Sequence, residues 1–180
     1  VRGILVTHRH LDRLARQLDA ARRQEPERGR LGPAQLPPGV LAPRRDGAAI
    51  VFGNERGDRV ELSWTDLRRQ VAGVAASLRE LGVRPGDRVA AVIANRPEAI
   101  VAMLATASLG AVWSSCSPDF GVEAVLDRFG QIEPKVLFAT DGYFYNGKSI
   151  DSLPAVRAIA ARLPDLRAVV LVPYRSDSPD

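Results

Sequence analysis

With 180 residues, 46% of them hydrophobic and 26% charged, the chain has the make-up of one soluble globular domain. No apolar run approaches the ~18 residues that a membrane span needs, so no membrane partner is expected. The single cysteine, Cys116, leaves no internal disulfide and fits a reducing, cytoplasmic setting.

Residues 1–47 contain no Phe, Trp or Tyr. They hold the basic charge: residues 1–46 carry ten Arg against five acids, a net of +5, so the remainder of the chain sums to −1. A nucleic-acid partner would rest on this segment alone, and none is expected. Leu11, Leu14, Leu18 and Ala21 predict an amphipathic helix from His10 to Gln24. Pro26, Gly29, Gly32, Pro33, Pro37, Pro38, Gly39 and Pro43 then read as a linker over 25–47. His8 and His10, without a third ligand, read as surface residues. Residues 1–47 are thus a basic, Pro- and Arg-rich, partly disordered leader, and 48–180 the folded body.

From Ala48 strand and helix alternate. Ala49–Phe52 and Arg59–Ser63 predict a hairpin around the turn Asn54–Asp58. Thr65 is the expected N-cap of a helix with Leu67, Val71, Val74, Leu78 and Leu81 on one face, closed by Gly82. Arg88–Ala94 is nearly all apolar, as a parallel strand buried on both faces requires. A helix opens near Asn95 and carries Ile100, Met103, Leu104, Ala107 and Ala111 on its predicted inner face. The strand Ala111–Ser115 follows, then a helix start at Ser117-Pro118-Asp119 with Val122, Val125, Leu126 and Phe129 turned inward. Lys135–Thr140 is the next strand, Ser152–Leu163 the last helix and Ala168–Val172 the last strand. This β-α-β succession predicts an α/β fold with a doubly wound, mainly parallel sheet.

Several motifs of known chemistry are absent: no G-x-G-x-x-G after a strand, no G-x-S-x-G elbow and no Cys/His cluster with zinc spacing. Three features stay open. Trp113–Gly121, at a strand's carboxyl end, is either an anion-binding turn or a capped turn around a packed Trp. Cys116 is either an activated thiol or a small buried one. In Asp141–Lys148, three aromatics beside Lys148 either stack a base and bind a phosphate or form a surface hairpin.

Gly110 to Lys148 reads G-A-V-W-S-S-C-S-P-D-F-G-V-E-A-V-L-D-R-F-G-Q-I-E-P-K-V-L-F-A-T-D-G-Y-F-Y-N-G-K and resembles the acetoacetyl-CoA synthetases, adenylate-forming acyl-CoA ligases. The strings W-S-S-C-S-P-D-F-G and D-G-Y-F-Y-N-G-K set it apart from acetyl- and propionyl-CoA synthetases. A looser likeness to the superfamily runs through Ser63–Leu67, Leu81–Val89 and Pro97–Ala99. The resemblance implies part of the large N-terminal domain of an adenylate-forming enzyme. It implies a ligase using ATP, CoA and Mg²⁺: acetoacetate attacks the α-phosphate of ATP, and the CoA thiol then displaces AMP from acetoacetyl-AMP. It also implies that a basic residue in the loop after the Lys135–Thr140 strand reaches the CoA phosphates; here that residue is Lys148, with Asn146 and Gly147 shaping the turn.

The phosphate loop, the acidic ATP-binding segments and the lysine-bearing small domain of the family fall beyond Asp180. No catalytic residue and no metal ligand is therefore expected in this chain, nor activity from it alone, and neither Lys135 nor Lys148 takes the adenylation lysine's place. The aromatic-free leader departs from the family's Trp- and Phe-rich one, as an out-of-frame reading upstream of about residue 45 would produce. The alternative is a non-catalytic α/β nucleotide- or CoA-binding module. A module should close its own sheet, whereas a fragment should leave the Ala168–Val172 edge or a helix face uncovered. Oligomeric state is not legible in the sequence.

Overall fold

The computed structural model describes residues 4–7 and 47–175. The expected His10–Gln24 helix, the linker up to residue 46, and His8 and His10 lie outside the described residues. The strands are β1 (Ile4–Thr7), β2 (Ala48–Gly53), β3 (Arg59–Ser63), β4 (Arg88–Val92), β5 (Val112–Cys116), β6 (Val136–Thr140), β7 (Gly142–Tyr145), β8 (Lys148–Asp151) and β9 (Ala168–Val172). The helices are α1 (Trp64–Glu80), α2 (Pro97–Ser108), α3 (Val122–Phe129) and α4 (Leu153–Ala161).

Five strands form one parallel sheet in the order β1-β9-β6-β4-β5. Period-2 alternation sends successive side chains to opposite faces. Val89, Ala91, Val136, Phe138, Val170 and Val172 meet α1 and α2 through Leu67, Val71, Leu78, Val101 and Ala105. Ala90, Val92 and Leu137 meet α3 and α4 through Val125, Phe129 and Ile159. Helices thus cover both faces, the doubly wound arrangement expected, and this explains why the central strands are almost wholly apolar, with polar residues only at their ends, Arg88 and Thr140. At about 25 cal/mol per Å² of apolar surface, each fully buried Val, Leu or Phe here contributes roughly 1.5–3 kcal/mol.

The structure changes four expectations. Ser63, not Thr65, caps α1: its Oγ accepts from Asp66 N at 3.0 Å and donates to Asp66 Oδ2 at 2.7 Å. The strand residue can do this because its extended backbone aims the hydroxyl at the first turn. In α2 the buried residues are Pro97, Val101, Ala102, Ala105 and Thr106, while Ile100 and Met103 are each 36% exposed. Small residues face α1, where two helices must approach closely. Ser117-Pro118-Asp119 forms a turn, closed by Phe120 N donating to Ser117 O at 3.3 Å, and α3 begins only at Val122 after Gly121. Finally, Ile4–Thr7, within the stretch read as a leader, pairs in parallel with β9, Ile4 opposite Ala168 and Thr7 opposite Leu171. The edge of Ala168–Val172 is therefore covered. Gly82 takes φ +80°, the left-handed turn expected after α1.

Candidate functional site

From β4 the chain passes to β5 on one side of the sheet and then returns to β6 on the other. The carboxyl ends of β4 and β6 flank this reversal, the place where open α/β sheets hold ligands. There β6 delivers Asp141, which is 1% exposed. Its Oδ1 accepts from the backbone N–H groups of Tyr174 at 2.7 Å and Arg175 at 2.9 Å. A buried carboxylate needs such donors, and these two tie the exit of β9 to the end of β6.

Gly142 then opens an antiparallel hairpin, β7 against β8, with Tyr143 opposite Ile150, Phe144 opposite Ser149 and Tyr145 opposite Lys148. A Cβ on Gly142 would run into the Ile150 carbonyl and the Arg175 side chain, so only glycine fits. Asn146 and Gly147 form the two-residue turn, with φ +50° and +73°. Positive φ at both central positions is the turn geometry that matches strand twist, and Asn-Gly is the pair best suited to it. Directly opposed residues share a face. Tyr143, Tyr145, Lys148 and Ile150 thus lie on one face of the hairpin, Phe144 and Ser149 on the other.

The second face is clasped to the body. Phe144 meets Tyr174 edge-on, with ring centroids 5.1 Å apart. The Arg56 guanidinium lies 4.4 Å from the Phe144 centroid, and Arg96 lies at the same distance from Tyr174. Asn54 Nδ2 donates to Tyr174 Oη at 3.1 Å. Arg96 is held in turn by Glu98, through Nε at 3.0 Å and Nη2 at 2.8 Å, and donates to Pro173 O at 2.9 Å. Glu55, in the β2–β3 turn, accepts from Asn146 N on Oε2 and from Gly147 N on Oε1, each at 2.9 Å.

Asn146, Gly147 and Lys148 therefore stand together, as the sequence reading has them, but the two backbone donors already hold a carboxylate. Lys148 is exposed and has no ion-pair partner among the described residues. Tyr145, at 69% exposure, stands opposite it. An ammonium beside an accessible aromatic ring can meet a phosphate and stack a base. Lys135 sits at the far end of β6, roughly 20 Å along the strand from Asp141. Its Nζ pairs with Asp87 Oδ1 at 2.7 Å, a structural use. Trp113 packs on Phe138 at 5.9 Å between centroids and Cys116 is buried, so both are packed within β5, while Ser115 between them is exposed. Burial pushes the Cys116 thiol up to about 11, with Arg128 opposing more weakly. Among the described residues no group of three or more His, Cys, Asp or Glu could hold a metal ion, and no helix is long and apolar enough to cross a membrane.

Residues 41–179 match the family described as AMP-binding enzyme. The chain belongs to that family. The match begins within the stretch read as a leader. An acetoacetyl-coenzyme A synthetase of Rhizobium meliloti (strain 1021) is 50% identical over 139 residues, which is 77% of this chain and 21% of that protein. The acetoacetyl-CoA synthetase of Mus musculus is 48% identical over 130 residues, 72% of this chain and 19% of its own. The solved acetoacetyl-CoA synthetase from Streptomyces lividans superposes with a TM-score of 0.73 at 51% identity, over 76% of this chain and 21% of that one. The chain thus spans about a fifth of these AMP-binding relatives, and the resemblance to acetoacetyl-CoA synthetases read from Gly110–Lys148 is borne out.

Sequence reasoning missed Glu55, Arg56, Arg96 and Tyr174 as parts of this site, and it had Asp141 only as the first residue of the Asp141–Lys148 segment. Glu55 and Arg56 lie in a turn where charge reads as solvated, and the hairpin residues they meet are 88 or more positions away.

Proposed function

We propose that this chain is a portion of an acetoacetate–CoA ligase and is inactive by itself. The reaction is acetoacetate, ATP and CoA to acetoacetyl-CoA, AMP and pyrophosphate, through an acyl-adenylate. The observation that carries the reading is the 50% identity over 139 residues to an acetoacetyl-CoA synthetase. ATP and Mg²⁺ are not assigned to residues of this chain: Gly142–Ser149 has the G-x-x-x-x-G-K-S spacing but folds as the β7–β8 hairpin rather than as a loop that opens a helix, and the described residues hold no metal-ligand cluster. CoA fits better. The free ammonium of Lys148 beside exposed Tyr145 suits its nucleotide end, with Asn146 and Gly147 setting the turn that presents Lys148. Nothing in the described residues calls for nucleic acid or membrane, and the buried lone Cys116 agrees with a reducing cytoplasm.

The test has two arms. Titration calorimetry should find CoA bound by the chain, and Lys148→Ala should weaken it about tenfold, the worth of one charge-assisted contact. Mixed with ATP, Mg²⁺, acetoacetate and CoA, the chain should form no thioester. Thioester formation, or CoA binding indifferent to Lys148→Ala, would overturn the respective part of the proposal. The cover that β1 gives β9 favours the second reading, a non-catalytic CoA-binding module. A monodisperse chain that binds CoA without catalysis would support it.

A further inference from the structure

The Asn146–Gly147 turn does more than reverse the chain. Its two successive N–H groups converge on one carboxylate, both at 2.9 Å, from residues with positive φ. Backbone donors arranged in this way form a concavity that receives anions. The anion now in place is Glu55, which comes from the other hairpin, 91 and 92 positions away in sequence.

We infer that the Asn146 and Gly147 N–H pair, with Lys148 beside it, is a phosphate-sized anion site whose resident occupant is Glu55, so that a ligand phosphate enters by displacing that carboxylate. Glu55 can leave without dismantling its turn. Asn54 Oδ1 accepts from Arg56 N at 3.0 Å and Asp58 N at 2.9 Å, and Gly57 N donates to Asn54 O at 3.1 Å. None of these bonds involves the Glu55 side chain, which is exposed. A phosphate dianion brings more charge to the same two donors, and Lys148, next in the chain and without an ion-pair partner among the described residues, supplies a cation for its further oxygens. Once phosphate is bound, like-charge repulsion keeps Glu55 out. The carboxylate therefore closes the hairpin onto the body in the free state and opposes ligand entry. This deepens the CoA reading by naming which donors its phosphate would take, but the site is defined by the N–H pair and not by CoA.

The experiment follows the amide resonances of Asn146 and Gly147 in the ¹⁵N-labelled chain during titration with inorganic phosphate. Glu55→Ala should bind phosphate at least about tenfold tighter than the unsubstituted chain, because a competing charge-assisted pair is removed. Adding Lys148→Ala to Glu55→Ala should reverse much of that gain. If Glu55→Ala fails to fold, Glu55→Gln preserves side-chain length while removing the charge, and the same gain in direction is expected. A folded Glu55 variant whose Gly147 amide ignores phosphate, or responds with unchanged affinity, overturns the inference. A Gly147 response to phosphate but none to CoA supports the inference and overturns the CoA reading. CoA binding that depends on Lys148 but is unchanged in the Glu55 variants overturns the inference alone.

Discussion

Replacing Lys135 by Met should cost the fold about 2 kcal/mol. Lys135 Nζ lies 2.7 Å from Asp87 Oδ1, with side chains 22% and 12% exposed. Fully exposed pairs contribute roughly 0–1 kcal/mol, and removing one partner of a buried pair costs about 3–5 kcal/mol, so this half-sheltered pair lies between. Met retains most of the aliphatic stem, so the loss measures charge rather than packing. Asp87 keeps one donor, the Arg84 N–H at 2.7 Å, which limits the damage. Burial pushes the Asp87 carboxyl up, but its bonds from Lys135 and Arg84 outweigh that and hold it below the usual carboxylate range. A depressed folded value stabilises the protein above the unfolded value, near pH 3.9, and that contribution is lost as pH falls through the folded value. Urea unfolding across acid to neutral pH reads both effects. Lys135→Met should lower stability at pH 7 and flatten the acid-side decline, and adding Asp87→Asn should recover part of the loss. A loss under about 0.5 kcal/mol at pH 7, or an acid-side decline unchanged by Lys135→Met, would refute the reasoning.

Cys116 should resist thiol reagents: with its thiol near 11, roughly one in a thousand is ionised at pH 8, so an aromatic disulfide reagent should react at least about a hundredfold slower than with the urea-unfolded chain. Equal rates in both states would show that the thiol is not buried. Gly142→Ala should separate β7 from β8, because the Ile150 carbonyl that a Cβ would strike belongs to the backbone and cannot swing aside. The expected cost is at least about 2 kcal/mol in urea unfolding, together with loss of the Phe144–Tyr174 proximity in nuclear Overhauser spectra. An unchanged midpoint would mean that the hairpin packs differently.

Much of the architecture was written locally. Arg59–Ser63 and Ala168–Val172 form strands with the bounds read from the sequence, the first from polar–apolar alternation and the second from a valine-rich apolar run. Parallel order followed from intervening helices, and the family from one continuous stretch, Gly110–Lys148. The inner face of Pro97–Ser108 was not legible. Nearly every residue there is apolar or small, so periodicity carries no phase, and close approach to α1 decided for Val101, Ala102 and Ala105 over Ile100 and Met103. The start of α3 at Val122 likewise overrode the local signal of Ser117-Pro118-Asp119. For the candidate site, the sequence by itself determined the Asn146–Gly147 turn and the lysine after it, because turn chemistry depends on adjacent residues. Only the tertiary structure decided that Glu55 would fill that turn's donors and that Arg56, Arg96 and Tyr174 would clasp the hairpin. Those contacts join segments that are neighbours only once the sheet has formed, and nothing in the spacing of residues along the chain records them.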